Sequence, residues 1–393
     1  MGRFYQDHEF YYLSGVSEPN VALLLAPATG DDILFVPPFN RFTAQWDGER
    51  LAPGEEAARR TGFKTVGNSR ALERHLAEAL KGGAGTVVFT LLQPAPNMTA
   101  TPASAMQAAE AQRQDPFDGR PARHEAFEQR LRERFAGIDV RDLSPWLDEL
   151  RVVKTEAEIA AIRAASEIAA QGIAEAMKSA EPGIHEFQLA AAARYTFDRL
   201  GAGPDAYAAI VGAGPNGCVL HYSANTRKTE PDDLVVMDYA PTVNGYCADV
   251  TRTFPVSGKF TPEQRKLVQD VYEIQQELIS HVKPGASLMR LHMLCSKRLT
   301  ERGYQPAHGP CHHVGLAVHD PSVDVLKPGM VITVEPGAYL QDKGMGCRIE
   351  DTVLVTEDGC INLSGHLPAD PGAIEALMQR PGVQQVGVGM TRE

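Results

Sequence analysis

"LVVMDYAPTVNGYCADVTRTF", residues 234–254, decides how this chain folds. An unbroken apolar run stops on Asp238. A second acid, Asp249, follows eleven residues later, ahead of the run "VTRTF". Apolar stretches of this length, bounded by turn residues, read as buried strands. A turn around residues 243–245 folds the two into a hairpin and lets the carboxylates face one another. The pattern returns downstream in "VITVEPGAYLQDKGMGCRIEDTVLV", residues 331–355. There Glu335 ends the apolar run and Glu350 lies in the next strand, so a second hairpin pairs those acids too.

The surroundings repeat as well. "LRVVKTEAEIAAIRAASEIAAQGIAEAM" opens a long helix at a capping box, Thr155 with Glu158. "FTPEQRKLVQDVYEIQQELI" opens another, with Thr261 as N-cap, Pro262 at the first helical position and Gln264 closing the box. Each helix leads through a Pro-Gly pair (182–183 and 284–285) into a second helix. Strands follow: "AAIVGAG", "GCVLHY", "LVVMDYA" and "GYCADVTRTF" in one half; "HHVGLAVHD", "MVITVEPGAYL" and "GCRIEDTVLV" in the other. The matched order predicts two similar halves around a shared sheet.

One strand-borne acid commonly serves as an edge residue, a cap or a salt-bridge partner. Four at matching places beside a histidine cluster point elsewhere. A buried carboxylate costs several kcal/mol or more unless it is paired or metal-bound. Four crowded together raise one another's pKa values. Divalent metal resolves the conflict, and two ions use four acids more naturally than one. Oxygen-rich ligation with one imidazole suits Mn, Co or Fe, without excluding Zn.

The imidazole comes from "HGPCHHVGLAVHD", residues 308–320, which holds four of the chain's twelve histidines. His312 is the candidate nitrogen ligand. His319, seven residues on, shares a side with it on an ideal helix and opposes it on an ideal strand, so periodicity does not place both. Gly315 allows close approach or a bulge. His221, in "VLHY", is a further candidate for hydrogen bonding to substrate. His308 and His313 read as structural by themselves.

Length and composition set the frame. The 393 residues suffice for two domains, with a boundary near residue 150. A formal charge of −12 and the lack of a Lys/Arg stripe argue against nucleic acid as a partner. No apolar stretch reaches membrane-spanning length, and the start lacks a signal-peptide pattern. These point to a cytoplasmic protein without a membrane partner. The six cysteines, at 218, 247, 295, 311, 347 and 360, form no CxxC pair and read as core residues. Before residue 150, "VALLLAP" and "DILFVPP" read as neighbouring strands around a turn at 29–31, and "TVVFTLL" as another. "PARHEAFEQRLRERFAG" reads as an amphipathic helix ending at Gly137. Residues 94–119 read as a long loop with helical turns.

The stretches "CVLHYSAN", "VVMDYAPTVNGYCADVTRTF", "HGPCHHVGLAVHD", "VITVEPGAY" and "GCRIEDTVLV" resemble the creatinase-like pita-bread metallopeptidases, in particular the Xaa-Pro aminopeptidase and prolidase branch. The fold implied is α/β: a pseudo-twofold pita-bread catalytic domain over 151–393, behind a smaller creatinase-like α/β domain over 1–150 serving substrate access and oligomerisation. The resemblance implies two divalent metals, Mn2+ foremost, with Co2+ or Zn2+ as alternatives. Their ligands would be Asp238, Asp249, His312, Glu335 and Glu350, with Asp249 and Glu350 bridging. Glu335 would move the proton, and His221, His319 and Arg348 would act on the reacting centre. His308, Tyr339 and Trp46 would contact substrate, Trp46 from a neighbouring subunit of a homodimer or homotetramer.

The activity implied is hydrolysis of the N-terminal Xaa-Pro bond of short proline-containing peptides by a metal-bridging hydroxide. A dipeptidase restricted to Xaa-Pro is the alternative. A non-catalytic peptide-binding protein of the same fold would be expected to have lost ligands. The 150 residues ahead of the motifs disfavour a methionine aminopeptidase, and the five ligands disfavour metal-free creatinase chemistry. Three departures stand out. Tyr239-Ala240 replaces small residues and is expected to narrow or reshape the cavity entrance. Glu9 stands near the place of a family aspartate. The first domain starts almost directly at "RFYQDHEFYYLSG" and is expected to lack an initial element.

Overall fold

The computed structural model describes residues 4–27, 29–81, 85–94 and 101–383. The chain divides into two compact units, Met1–Leu147 and Asp148–Glu393.

In the first unit, Ala22–Ala26 and Asp31–Val36 pair antiparallel, and Asp31–Val36 pairs parallel with Thr65–Asn68. Leu34, Val36 and Val66 meet Val16 and Ala57 in a small core. Val87–Thr90 pairs parallel with Asp139–Asp142. The expected amphipathic helix is Arg123–Arg134. The stretch expected to be mainly loop contains a 13-residue helix, Pro102–Gln114. Thr101 accepts from the Ser104 amide and Pro102 occupies the first turn. Only Ala105 of this helix is buried, so no apolar stripe marked it; its alanines and glutamines favour helix by propensity alone. Residues 95–100 of that stretch lie outside the described residues.

The second unit repeats one plan. Glu156–Ser179 and Glu186–Arg199 precede a three-stranded antiparallel sheet of Ile210–Ala213, Leu234–Asp238 and Thr251–Pro255, with Leu234–Asp238 central. Pro262–Ser280 and Leu288–Glu301 precede a second, of Val331–Val334, Asp351–Val355 and Cys360–Asn362, with Asp351–Val355 central. Both capping boxes form: Thr155 accepts from Glu158, and Thr261 from Gln264, each with the reciprocal bond. Gly172 lets the first helix pair close, because a Cβ there would stand 2.2 Å from the Phe197 ring. The two sheets meet where Thr251 and Glu350 bridge antiparallel.

Residues 234–254 form one hairpin in a single register: Leu234–Asp238 pairs with Thr251–Pro255, and Thr242–Val243 with Tyr246–Cys247 at its tip, turned by Asn244 and Gly245 at positive φ. The acids are not directly opposed: Asp238 pairs with Thr251, and Asp249 lies two residues earlier, just outside the strand. Two expected strands need correction. "GCVLHY" contributes to the 3-10 helix Gly214–Cys218 and a turn rather than a strand. "HHVGLAVHD" is also no strand: it is a tight loop with a single bridge, His313 to Ile332. The Gly315 amide donates to the Ala317 carbonyl, and the Asp320 amide to His313. The Asp320 carboxylate lies against Gly315, where a Cβ would meet it at 2.3 Å.

Candidate metal centre

The acids gather at the ends of the strands, where the two half-sheets meet. Asp238 ends its strand, 7% exposed. Asp249 and Glu350 are buried beside the bridge at Thr251. Thr352 holds Asp249 in place from the other half, accepting from its amide at 3.0 Å and donating to its carbonyl at 2.8 Å. Glu335 follows Val331–Val334, its amide donating to the Pro310 carbonyl. His312 Nε2 lies 3.4 Å from both Asp249 Oδ2 and Glu335 Oε1.

Asp249, His312 and Glu350 each bring one ligand atom within 4.8 Å of the others. Among the described residues, the buried Asp249 Oδ1 has no hydrogen-bond partner. A desolvated carboxylate oxygen with nothing to accept from, beside a second carboxylate and an imidazole, fits a divalent cation. Asp238 and Glu335 flank this trio. Arg348 Nη2 donates to Asp238 Oδ2 at 2.8 Å, and His308 Nδ1 lies 3.6 Å from Glu335 Oε2.

The electrostatics are those of crowded anions. Burial, then Asp249, pushes Asp238 up to about 6. Burial pushes Glu335 up to about 7 despite His312 and Arg348. Burial and the neighbouring acids raise Glu350 well above the carboxylate range. Asp249 goes the other way: burial opposes its charge, but the His312 contact prevails and lowers its pKa. Burial disfavours a charged His312, yet Asp249 and Glu335 carry it up to about 9.

The remaining predicted residues of the second unit fall around this cluster. His312 and His319 have ring centroids 4.3 Å apart. Burial lowers His319 and His308 to about 4, and also lowers His221. Tyr339 joins His308 Nε2 at 2.9 Å to Arg348 Nη1 at 3.0 Å. Trp46 belongs to the first unit. It lies on the helix Arg41–Asp47, 72% exposed, its ring 5.9 Å from Phe42. His313 keeps its structural role: it is fully buried, with Nε2 3.1 Å from the Val323 carbonyl. The Cys311 thiol is raised well above its ordinary pKa by burial, which suits packing rather than nucleophilic attack.

Tyr239 does not face the metal cluster. Strand alternation turns it away from Asp238, and it is buried with its ring on Phe197 and its hydroxyl donating to Asp205 at 2.7 Å. The sequence reading missed Tyr207, whose buried hydroxyl donates to Asp238 Oδ1 at 2.5 Å. It also missed Thr333, which accepts from the His312 amide at 3.0 Å. Neither carries a sequence signal, since a tyrosine or threonine near a strand is ordinary.

The fold and the clustered acids define a metallopeptidase. The chain belongs to metallopeptidase family M24: residues 160–357 match that family, and residues 2–89 match the aminopeptidase P N-terminal domain. The second unit therefore has the pita-bread fold. A Xaa-Pro aminopeptidase of Escherichia coli (strain K12) is 37% identical over 271 residues, covering 60% of this chain and 62% of that enzyme, less than two thirds of its length. A Xaa-Pro aminopeptidase of Haemophilus influenzae is 30% identical over 416 aligned positions, covering 95% of this chain and 88% of its own. The solved structure of zinc-substituted E. coli aminopeptidase P in complex with product superposes with a TM-score of 0.79 at 30% identity, covering 96% and 90% of the two chains.

No helix among the described residues is long and apolar enough to cross a membrane.

Proposed function

We propose that this protein is a dinuclear-metal aminopeptidase hydrolysing the N-terminal Xaa-Pro bond of short peptides. The observation that carries the reading is the trio Asp249, His312 and Glu350, with the buried Asp249 Oδ1 lacking a hydrogen-bond partner. Asp238, Asp249, His312, Glu335 and Glu350 would hold two divalent ions, with Mn2+ foremost and Co2+ or Zn2+ as alternatives. When bound, such ions supply a water acidic enough to ionise near neutral pH and polarise the scissile carbonyl.

This chain's own groups do the rest. Glu335 takes the proton of the attacking water and passes it to the departing proline nitrogen. His221 and His319, kept uncharged near neutral pH by burial, donate to the carbonyl oxygen as it gains charge. Arg348 holds Asp238 and, through Tyr339, steadies His308 beside the substrate. A prolyl amide offers no N–H, so its ring is recognised by shape. Trp46 would reach a peptide bound in a neighbouring subunit of a homodimer or homotetramer, consistent with its exposure in this chain.

The test is to load the protein with Mn2+, offer matched Xaa-Pro and Xaa-Pro-Yaa peptides and identify the products by mass. Cleavage of Xaa-Pro-Yaa before proline is expected. Cleavage of Xaa-Pro alone would assign a dipeptidase, and full turnover after rigorous chelation would remove the metal from the reading.

A further inference from the structure

The two halves of the metal cluster are tied together through one hydroxyl that the reading above leaves without a role. Thr251 is fully buried at the bridge between the half-sheets. Its Oγ1 donates to Glu350 Oε2 at 2.6 Å and accepts from Arg348 Nε at 3.2 Å. A guanidinium only donates, so the hydroxyl accepts from Arg348 and keeps its single proton for an ionised Glu350 carboxylate, the form that binds a metal.

The contacts form a chain of four residues. Asp238 accepts from Arg348, Arg348 donates to Thr251, and Thr251 donates to Glu350. Asp238 and Thr251 belong to the first half and are cross-strand partners. Arg348 and Glu350 belong to the second half and stand two residues apart. Every side-chain bond in the chain therefore crosses the seam. The backbones cross it too: the Glu350 amide donates to the Thr251 carbonyl at 3.1 Å. With Oε2 held by the hydroxyl, the orientation of Glu350 is set before any ion arrives. A β-branched residue is also stiff at χ1, so the hydroxyl is aimed at little entropic cost.

We infer that Thr251 is a positioning residue that fixes Glu350, and through Arg348 Asp238, for simultaneous metal binding by the two halves. The inference rests on the reading of this cluster as a metal centre.

The test is calorimetric titration of the chelated full-length protein with Mn2+, comparing wild type, Thr251→Val and Thr251→Ser. Valine keeps the shape and removes the hydroxyl; serine keeps the hydroxyl. Loss of an outer hydrogen-bond partner typically weakens metal binding by about 10–100-fold. Thr251→Val is expected to fall in that range, while Thr251→Ser stays within about threefold of wild type. Thermal unfolding of the metal-free proteins separates this from a folding defect. Should valine prevent folding, Thr251→Ala against Thr251→Ser makes the same comparison. Equal Mn2+ affinity in wild type and Thr251→Val overturns the inference, as does a serine variant as weak as the valine one. Failure of wild type to bind Mn2+ at all would instead overturn the metal reading on which it rests.

Discussion

His312 and His319 are seven residues apart in the chain, and their rings lie 4.3 Å apart at an interplanar angle of 41°. Neither helical nor strand periodicity produces that approach. It is made by the loop between them, which closes on itself through Gly315 and Asp320.

Gly315→Ala should break that closure. The new Cβ would stand 2.3 Å from the Asp320 carboxylate, itself held by Arg151 and Lys154. Overpacking of this kind costs about 1–3 kcal/mol. The expected result in urea unfolding is a loss of that size, and steady-state kinetics should show a larger proportional loss of kcat/KM as His319 moves.

Asp320 anchors the same loop with a buried pair of cations. Burial alone would push its carboxyl up, but Lys154 and Arg151 hold it below the usual range. A depressed folded pKa gives stability that is present above the unfolded value of about 3.9 and is lost as pH falls through the folded value. Asp320→Asn should cost about 3–5 kcal/mol near neutral pH, since it removes the buried carboxylate that Arg151 and Lys154 share. The gap from wild type should narrow as unfolding is repeated from about pH 6 down to about pH 3.

Metal removal should reveal the crowded acids. Asp238 and Glu335 have folded pKa values raised to about 6 and about 7. Their contribution is full below the unfolded carboxylate values and is lost as pH rises through that window. The melting temperature of chelated protein should therefore fall between about pH 5 and about pH 8. Mn2+ at a hundred times its dissociation constant should restore about 2.7 kcal/mol at the upper end. A chelated protein whose melting is flat across this range would contradict the electrostatic picture.

Glu335→Gln should separate proton transfer from metal binding. The amide keeps an oxygen but cannot carry the proton. Activity on Xaa-Pro-Yaa peptides is expected to fall by about 10²–10⁴-fold, the usual worth of a general acid–base group. Mn2+ titration should still show binding through Asp249, His312 and Glu350.

Much of this was legible in the chain because it is local. Thr155 and Thr261 announce their helices through contacts spanning three residues, and both boxes form. Asp238 ends a run of apolar residues, and it ends a strand. The helix Pro102–Gln114 was obscured because only one of its residues is buried, which leaves no period to read.

By itself, the sequence determined the duplicated helix-and-strand plan, the acids at the ends of the apolar runs and the histidines beside them. Each rests on short-range preferences that neighbouring residues express together. Only the tertiary structure decided that Thr251 would hold Glu350 from 99 residues away, that Tyr207 would reach Asp238 and that Tyr239 would turn into the core. The first arises where the two half-sheets meet, and the other two where helix and loop residues of the first half pack on its sheet. They depend on register and strand face, which a linear pattern does not encode.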